Sequence, residues 1–236
     1  MDYRDYKAVQ SNELFWFRAK NKLIEHLLAL TTPQNQNIKI LNLGAGTGSD
    51  LKILSQFGNV YVIDVNEKAL ELVPSEFCIE KRLADACKLP YEDLFFDIVV
   101  AFDVLEHIEN DVKAVSEVRR VLKNEGLFLI TVPAFPVLFS AHDKILAHYR
   151  RYNKKSLTAL FAGYSNLYLN FWNSFLFPFA ATSRFFKRND SPKIDKHEFP
   201  KIVDSFFYSI LAAEAFLVGK KFPLPFGLSI AGVIKK

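Results

Sequence analysis

Two short runs concentrate side chains that can move a proton or hold a charge. The first is Asp103-Val104-Leu105-Glu106-His107, with two carboxylates and an imidazole in five residues. Histidine titrates nearest neutrality, so His107 is a candidate general base. It would equally suit the cap of a helix starting near residue 109. Asp103, Glu106 and His107 together could hold a divalent cation, but spacing identifies no further ligand and no metal is expected. The second run covers residues 142–152 and holds His142, Asp143, His148, Tyr149, Arg150, Arg151 and Tyr152. His142 and Asp143 are further candidates for catalysis. His148, Arg150, Arg151 and Tyr152 are candidates for binding a substrate, since paired arginines suit phosphate or carboxylate. The plainer alternative is a solvated capping turn ahead of a helix at residue 154.

A third signal is Leu41-Asn42-Leu43-Gly44-Ala45-Gly46-Thr47-Gly48. Glycines let the backbone turn sharply and approach a ligand with no side chain between. The spacing is G-x-G-x-G with Ser49 following, so it is neither the dinucleotide fingerprint nor a phosphate-binding loop ending in Gly-Lys. Asp64 ends the apolar run Val60-Tyr61-Val62-Ile63, 20 residues after Gly44. A carboxylate there can accept both hydroxyls of a ribose; the alternative is a cap for the helix starting at Asn66. Asp85, in Leu83-Ala84-Asp85-Ala86-Cys87, can accept from an adenine amino group.

The elements that must carry these groups are legible as alternating patterns. Residues 12–30 read as an amphipathic helix capped by Asn12. Short apolar runs at 38–43, 60–65, 96–102 and 126–132, and a weaker one at 77–84, read as buried strands. Helical segments are expected at 49–57, 66–73, 109–122 and 154–162, with Asn66 and Asn153 as caps. Residues 166–171 alternate like an edge or antiparallel strand, and 226–236 contain a closing strand. Strands alternating with helices imply a doubly wound α/β sheet, where ligands sit at the carboxyl edges of the strands. An insertion at about 173–225 carries a helix-like 175–187, a charged connector 188–201 and a long helix 202–220.

Composition adds bounds. The chain has 236 residues, half of them hydrophobic and 24% charged, enough for a core and unlike a disordered chain. The net charge of +4 hides an asymmetry: residues 1–141 carry −5 and residues 142–236 carry +9. Twelve of the 23 phenylalanines lie between Phe171 and Phe226. Cys78 and Cys87 lack metal-site spacing. The charged N-terminus has no apolar leader, so reduced thiols in the cytoplasm are expected. The apolar stretches 171–181 and 205–219 are shorter than a span and read as core, lid or interfacial elements.

With these residues in view, positions 38–133 resemble a class I S-adenosylmethionine-dependent methyltransferase of the small-molecule and lipid branch, type 11-like. LNLGAGTG resembles the first motif, VIDVN the acidic ribose loop, ADACKLP the adenine loop, and FDIVVAFDVLEHI the motif of the fourth strand. RVLKNEGLFLITVPA resembles the helix and strand that follow. One departure is Asn42, where that family usually has Asp or Glu. The stretch from Ser140 to Tyr152 and Phe15-Trp16-Phe17-Arg18 resemble a subgroup linked to surface polysaccharide or lipid-linked glycans.

The resemblance implies a Rossmann-like seven-stranded sheet, mostly parallel with an antiparallel last strand, and helices on both faces. It implies S-adenosyl-L-methionine as cofactor and S-adenosyl-L-homocysteine as product. The expected cofactor residues are Gly44, Ala45, Gly46, Gly48, Asp64, Val65, Asp85, Ala86, Phe102 and Arg18. The expected organisation is a helical cap at 1–32, a core of 33–172 plus 223–236, and a helical lid at 173–222. The Asn/Asp-Pro-Pro motif of nucleic-acid amino methyltransferases is missing after the fourth strand, so a small-molecule or lipid-linked acceptor is expected and no nucleic acid. In the insertion Phe175, Phe177, Phe179, Phe185 and Phe186 alternate with Arg184, Lys187 and Arg188. That pattern suits peripheral contact with an anionic membrane, packing on the sheet, or a homodimer interface. Rival readings are a non-catalytic cofactor-binding regulator or subunit, and a nucleotide-cofactor oxidoreductase.

Overall fold

The computed structural model describes residues 14–30, 37–186 and 199–236. Asn12, Lys187 and Arg188 lie outside them, as do the side chains of Arg184, Phe185 and Phe186.

Seven strands form one sheet: β1 (Lys39–Leu43), β2 (Asn59–Asp64), β3 (Glu80–Leu83), β4 (Phe96–Phe102), β5 (Leu122–Pro133), β6 (Asn166–Trp172) and β7 (Ser229–Lys235). Their order is β3-β2-β1-β4-β5-β7-β6. Strands β1 to β5 pair in parallel. β7 inserts antiparallel between β5 and β6, so β6 runs with the parallel set. The expected sheet, with its antiparallel last strand, is present.

The helices are α1 (Phe15–Ala29), α2 (Leu51–Leu54), α3 (Glu67–Leu72), α4 (Asp111–Val121), α5 (Ala141–Ile145), α6 (Lys154–Leu160), α7 (Phe177–Phe186) and α8 (Lys201–Gly219). Alternation along the central strands sends residues to two cores, as a sheet covered on both faces requires. Val99 and Ala101 of β4 and Phe128 and Ile130 of β5 pack with Val118 of α4 and Leu157 of α6. Ile98, Val100 and Leu129 pack with Leu23 and Leu27 of α1, Leu51 of α2 and Leu211 and Ala215 of α8.

Local differences from expectation have local causes. The helix at 49–57 shrinks to one turn, α2, because chain from Gly48 to Asp50 is spent on the turn itself. β3 starts at Glu80, after a 3-10 turn at Ser75–Phe77. β5 is longer than its apolar run, because Leu122 pairs with Phe96 across a register shift before Ile98. Asn66, Asn110 and Asn153 cap α3, α4 and α6 through their side chains. His107 therefore does not cap α4.

The cap and the insertion meet each other. α1 packs along α8. Trp16 lies 4.9 Å from Trp172. Asp204 of α8 accepts from the Phe15 amide at 2.9 Å and pairs with Arg18. α8 is also the one helix among the described residues that is long and apolar enough to cross a membrane. That is longer than the 15-residue stretch seen in the sequence. Its Glu214 accepts from the amides of Ser174 and Phe175, each at 2.8 Å, and Trp172 donates to the Leu211 carbonyl at 3.2 Å.

Candidate functional site

The glycine turn leaves β1 at the carboxyl edge of the sheet. Gly44, Gly46 and Gly48 all have positive φ, which L side chains rarely adopt. At Gly44 a Cβ would also lie 2.7 Å from a methyl of Val104. The amides of Gly44 and Ala45 donate to the Ile63 carbonyl. Asp64 then ties the turn to the next element: Oδ2 accepts from the Gly46 amide and Oδ1 from the Asn66 amide, both at 2.8 Å. Asn66 caps α3 itself, so the helix-cap alternative for Asp64 does not hold; one lone pair on each Asp64 oxygen is engaged by these amides and one on each is left. Val65, next to it, is 72% exposed despite being apolar, and a flat base would cover it. Asp85 accepts from the Cys87 amide at 2.8 Å, and Ala86 is buried beside it. Carboxylates at two adjacent strand ends, an uncovered apolar face and a glycine cradle fit an adenosine carrying a cationic tail.

Behind the turn lies a charged group that sequence reasoning missed. Lys20 of α1 reaches Asp103 at 2.6 Å and the Phe102 carbonyl at 3.4 Å. Asp103 also accepts from Thr131 at 3.1 Å and has φ +59. Burial works against both charges, but their pairing outweighs it, raising the Lys20 pKa and lowering that of Asp103. Asn42 donates to Asp50 at 3.0 Å in a buried contact. Asp50 therefore brings a carboxylate beside the position where the resembled family carries one. Burial raises its pKa, against the pull of Lys20. Arg18, expected at the cofactor, instead stacks on Tyr208 at 4.6 Å and pairs with Asp204. Phe102 is buried at the end of β4.

The two proton-bearing runs meet at the ends of β4 and β5. The His107 and His148 rings stand 4.6 Å apart. The Tyr149 amide donates to the Glu106 carbonyl at 2.8 Å. Asp143 is fully buried and is a hub rather than a solvated cap. Its Oδ2 accepts from the Ser140 amide and hydroxyl, and its Oδ1 faces His148 Nδ1 at 3.0 Å and Arg151 at 2.7 Å. Burial opposes its ionisation, but His148 and Arg151 win and hold it well below the usual carboxylate range. Burial and His148 push the His107 pKa down to about 4. Burial and then Asp103 raise Glu106 well above the ordinary range.

The remaining expected substrate residues have internal partners. Arg150 pairs with Asp111 at 2.7 Å; Tyr152 donates to Asp111 at 2.7 Å and to the Leu105 carbonyl at 3.1 Å. These bonds stitch the stretch after β5 to the one after β4. His142 is exposed on α5.

A wall of aromatic rings closes the β5 side. Phe135, at φ +59 just past β5, stacks on Phe171 at 5.3 Å and meets Phe177 of α7 at 5.1 Å. Phe177 in turn meets Phe226 at 5.2 Å.

Comparison with known proteins agrees with this geometry. Residues 41–130 match the family described as "Methyltransferase domain". A Mycobacterium tuberculosis relative, "Probable S-adenosylmethionine-dependent methyltransferase", is 30% identical over 151 residues, 63% of this chain and 54% of the relative. The chain thus spans about half the length of that relative. The "Ubiquinone/menaquinone biosynthesis C-methyltransferase UbiE" of Paraburkholderia phymatum is 32% identical over 101 residues, 39% of this chain and 42% of that protein. A crystal structure of an S-adenosylmethionine-dependent methyltransferase from Archaeoglobus fulgidus shares the fold at TM-score 0.56 and 18% identity, covering 94% of this chain and 99% of that one. Residues 41–130 of this chain therefore match a methyltransferase domain and are similar to S-adenosylmethionine-dependent methyltransferases.

Proposed function

We propose that this protein is an enzyme that transfers the methyl group of S-adenosylmethionine to a small or lipid-linked acceptor. The observation carrying this reading is the Asp64 bridge between the glycine turn and α3, with free lone pairs facing the edge where a ribose would lie. When bound, the cofactor supplies an electrophilic methyl on a sulfonium. Asp64 and Val65 hold the ribose and one face of the base; Asp85 and Ala86 hold the adenine. The backbone of residues 44–48 meets the methionine portion. Lys20 takes its carboxylate, and Asp103 and Asp50 its ammonium.

Methyl transfer is an in-line displacement, so the protein's task is positioning and exclusion of water. The Phe135, Phe171, Phe177 and Phe226 wall does both from the β5 side and suits an apolar acceptor. Glu106, His107 and His148 stand where the acceptor loses its proton. Arg150, Arg151, Tyr152 and Asp143 keep the two loops in register. We infer that the acceptor arrives from an anionic membrane surface. Ile202, Phe206, Phe216 and Phe222 are exposed on or beside α8, next to Lys201, Lys220 and Lys221.

The test is transfer of labelled methyl from S-adenosylmethionine to lipid and glycan-lipid extracts. Label in an extractable product supports the reading. Cofactor binding with no transfer to any extract would instead favour a cofactor-binding subunit.

A further inference from the structure

Glu106, His107 and His148 each present one donor atom, and the three atoms lie within 4.8 Å of one another. We propose that they form a site for one divalent transition ion of the manganese-to-zinc series.

Three independent features support it. Glu106 is 1% exposed, and its Oε2 has no hydrogen-bond partner. A buried carboxylate oxygen is costly unless something compensates it, and a cation beside the two imidazoles does so. His148 Nδ1 faces the Asp143 carboxylate at 3.0 Å. A carboxylate can only accept, so Nδ1 carries the hydrogen, and the neutral ring then offers its Nε2 lone pair to a metal. This carboxylate–histidine arrangement is the usual support of a metal-bound imidazole. Asp143 is itself fixed by Ser140 and Arg151. Finally, the two loops are tied to each other by the Tyr149 amide on the Glu106 carbonyl and by Tyr152 on the Leu105 carbonyl. The donors are therefore already gathered.

The donor set decides the class of ion. Two imidazole nitrogens and one carboxylate suit Zn2+, Co2+, Fe2+ or Mn2+; Mg2+ and Ca2+ prefer oxygen throughout. Three protein donors leave coordination positions open, as in catalytic rather than structural sites. The site lies at the carboxyl edge between β4 and β5, on the acceptor side. Resting on the methyl-transfer reading, the open positions take a hydroxyl oxygen of the acceptor. The ion lowers the pKa of that hydroxyl, and its proton leaves to solvent. The oxygen then bonds to the methyl carbon as the carbon–sulfur bond breaks. The products are a methyl ether and S-adenosylhomocysteine.

The test is calorimetry on the full chain after removal of metals by a chelator. Zn2+, Co2+ and Mg2+ are titrated separately, and the visible spectrum of Co2+ is recorded. The expectation is one equivalent of Zn2+ or Co2+ and at least about a hundredfold weaker Mg2+. Glu106→Gln and His148→Asn should each weaken Zn2+ at least about tenfold, and Asp143→Asn about tenfold to a hundredfold. His26→Ala, which removes a histidine on the far part of α1, should change nothing. S-adenosylhomocysteine binding, measured on every variant, reports folding independently of the ion. Stoichiometric Zn2+ without S-adenosylhomocysteine binding would uphold the site while removing the methyl-transfer reading. Lack of stoichiometric binding by the native chain, or equal binding by Glu106→Gln and His148→Asn, would overturn the site.

Discussion

Asp64 already accepts one backbone amide on each oxygen, so a ribose would find a carboxylate that is fixed and needs no reorientation. Hydrogen bonds to a charged group are worth about 1.5–3 kcal/mol each, and removing the group loses them all. Asp64→Ala should weaken S-adenosylhomocysteine at least about tenfold by calorimetry and, by freeing the Gly46 and Asn66 amides, also lower the melting temperature. Gly44→Ala places a Cβ against Val104 in a positive-φ turn. It should both destabilise the protein by about 1–2 kcal/mol and abolish tight cofactor binding. Lys20 gives a different signature. Lys20→Met strands Asp103, whose other partner is Thr131, and should cost about 2 kcal/mol in denaturant melts. Lys20→Met with Asp103→Asn should recover most of that loss. A double variant no more stable than the single would contradict the pairing.

The central strands were the most legible elements, because a sheet covered on both faces makes each of them a plain apolar run, whereas β3 and β6 at the edges are polar or alternating. Caps were legible too, since Asn66 and Asn153 stand just ahead of helical patterns. Asn110 is the third such cap. Asn110→Ala should lower stability by about 1 kcal/mol, shift the melting temperature by about 2–4 °C and leave cofactor affinity unchanged. What the sequence hid were contacts between distant segments. Lys20 and Asp103 are 83 positions apart. Glu106 meets Tyr149 only because β4 and β5 are neighbours in the sheet. Asp50 beside Asn42 depends on the turn folding back. Residues 148–152 read as ligand groups by type, but their internal partners, above all Asp111, are far away in the chain.

At the scale of the whole molecule, the charge asymmetry acquires a place. The acidic front carries Asp50, Asp64, Asp85 and Asp103 around the proposed site of a cationic cofactor. The basic back carries α8, with Phe206 and Phe216 exposed, Lys220 over the Phe216 ring, and Lys201 and Lys221 at the two ends of the helix. Membrane docking through this face predicts flotation with anionic liposomes at low salt. It also predicts loss of flotation as salt screens the lysines, and in Ile202→Glu with Phe206→Glu. Both variant residues are exposed, so the fold should survive. Neutral vesicles should capture much less protein, and equal capture by both lipids would rule out an electrostatic contribution to docking.

Calorimetric titration of the native chain with S-adenosylhomocysteine decides whether residues 41–130 hold S-adenosylmethionine on the glycine turn, Asp64 and Asp85. One site of about micromolar affinity is expected, weakened at least about tenfold in Asp64→Ala. Lack of saturable binding by the native chain, or unchanged affinity in the variant, would contradict it.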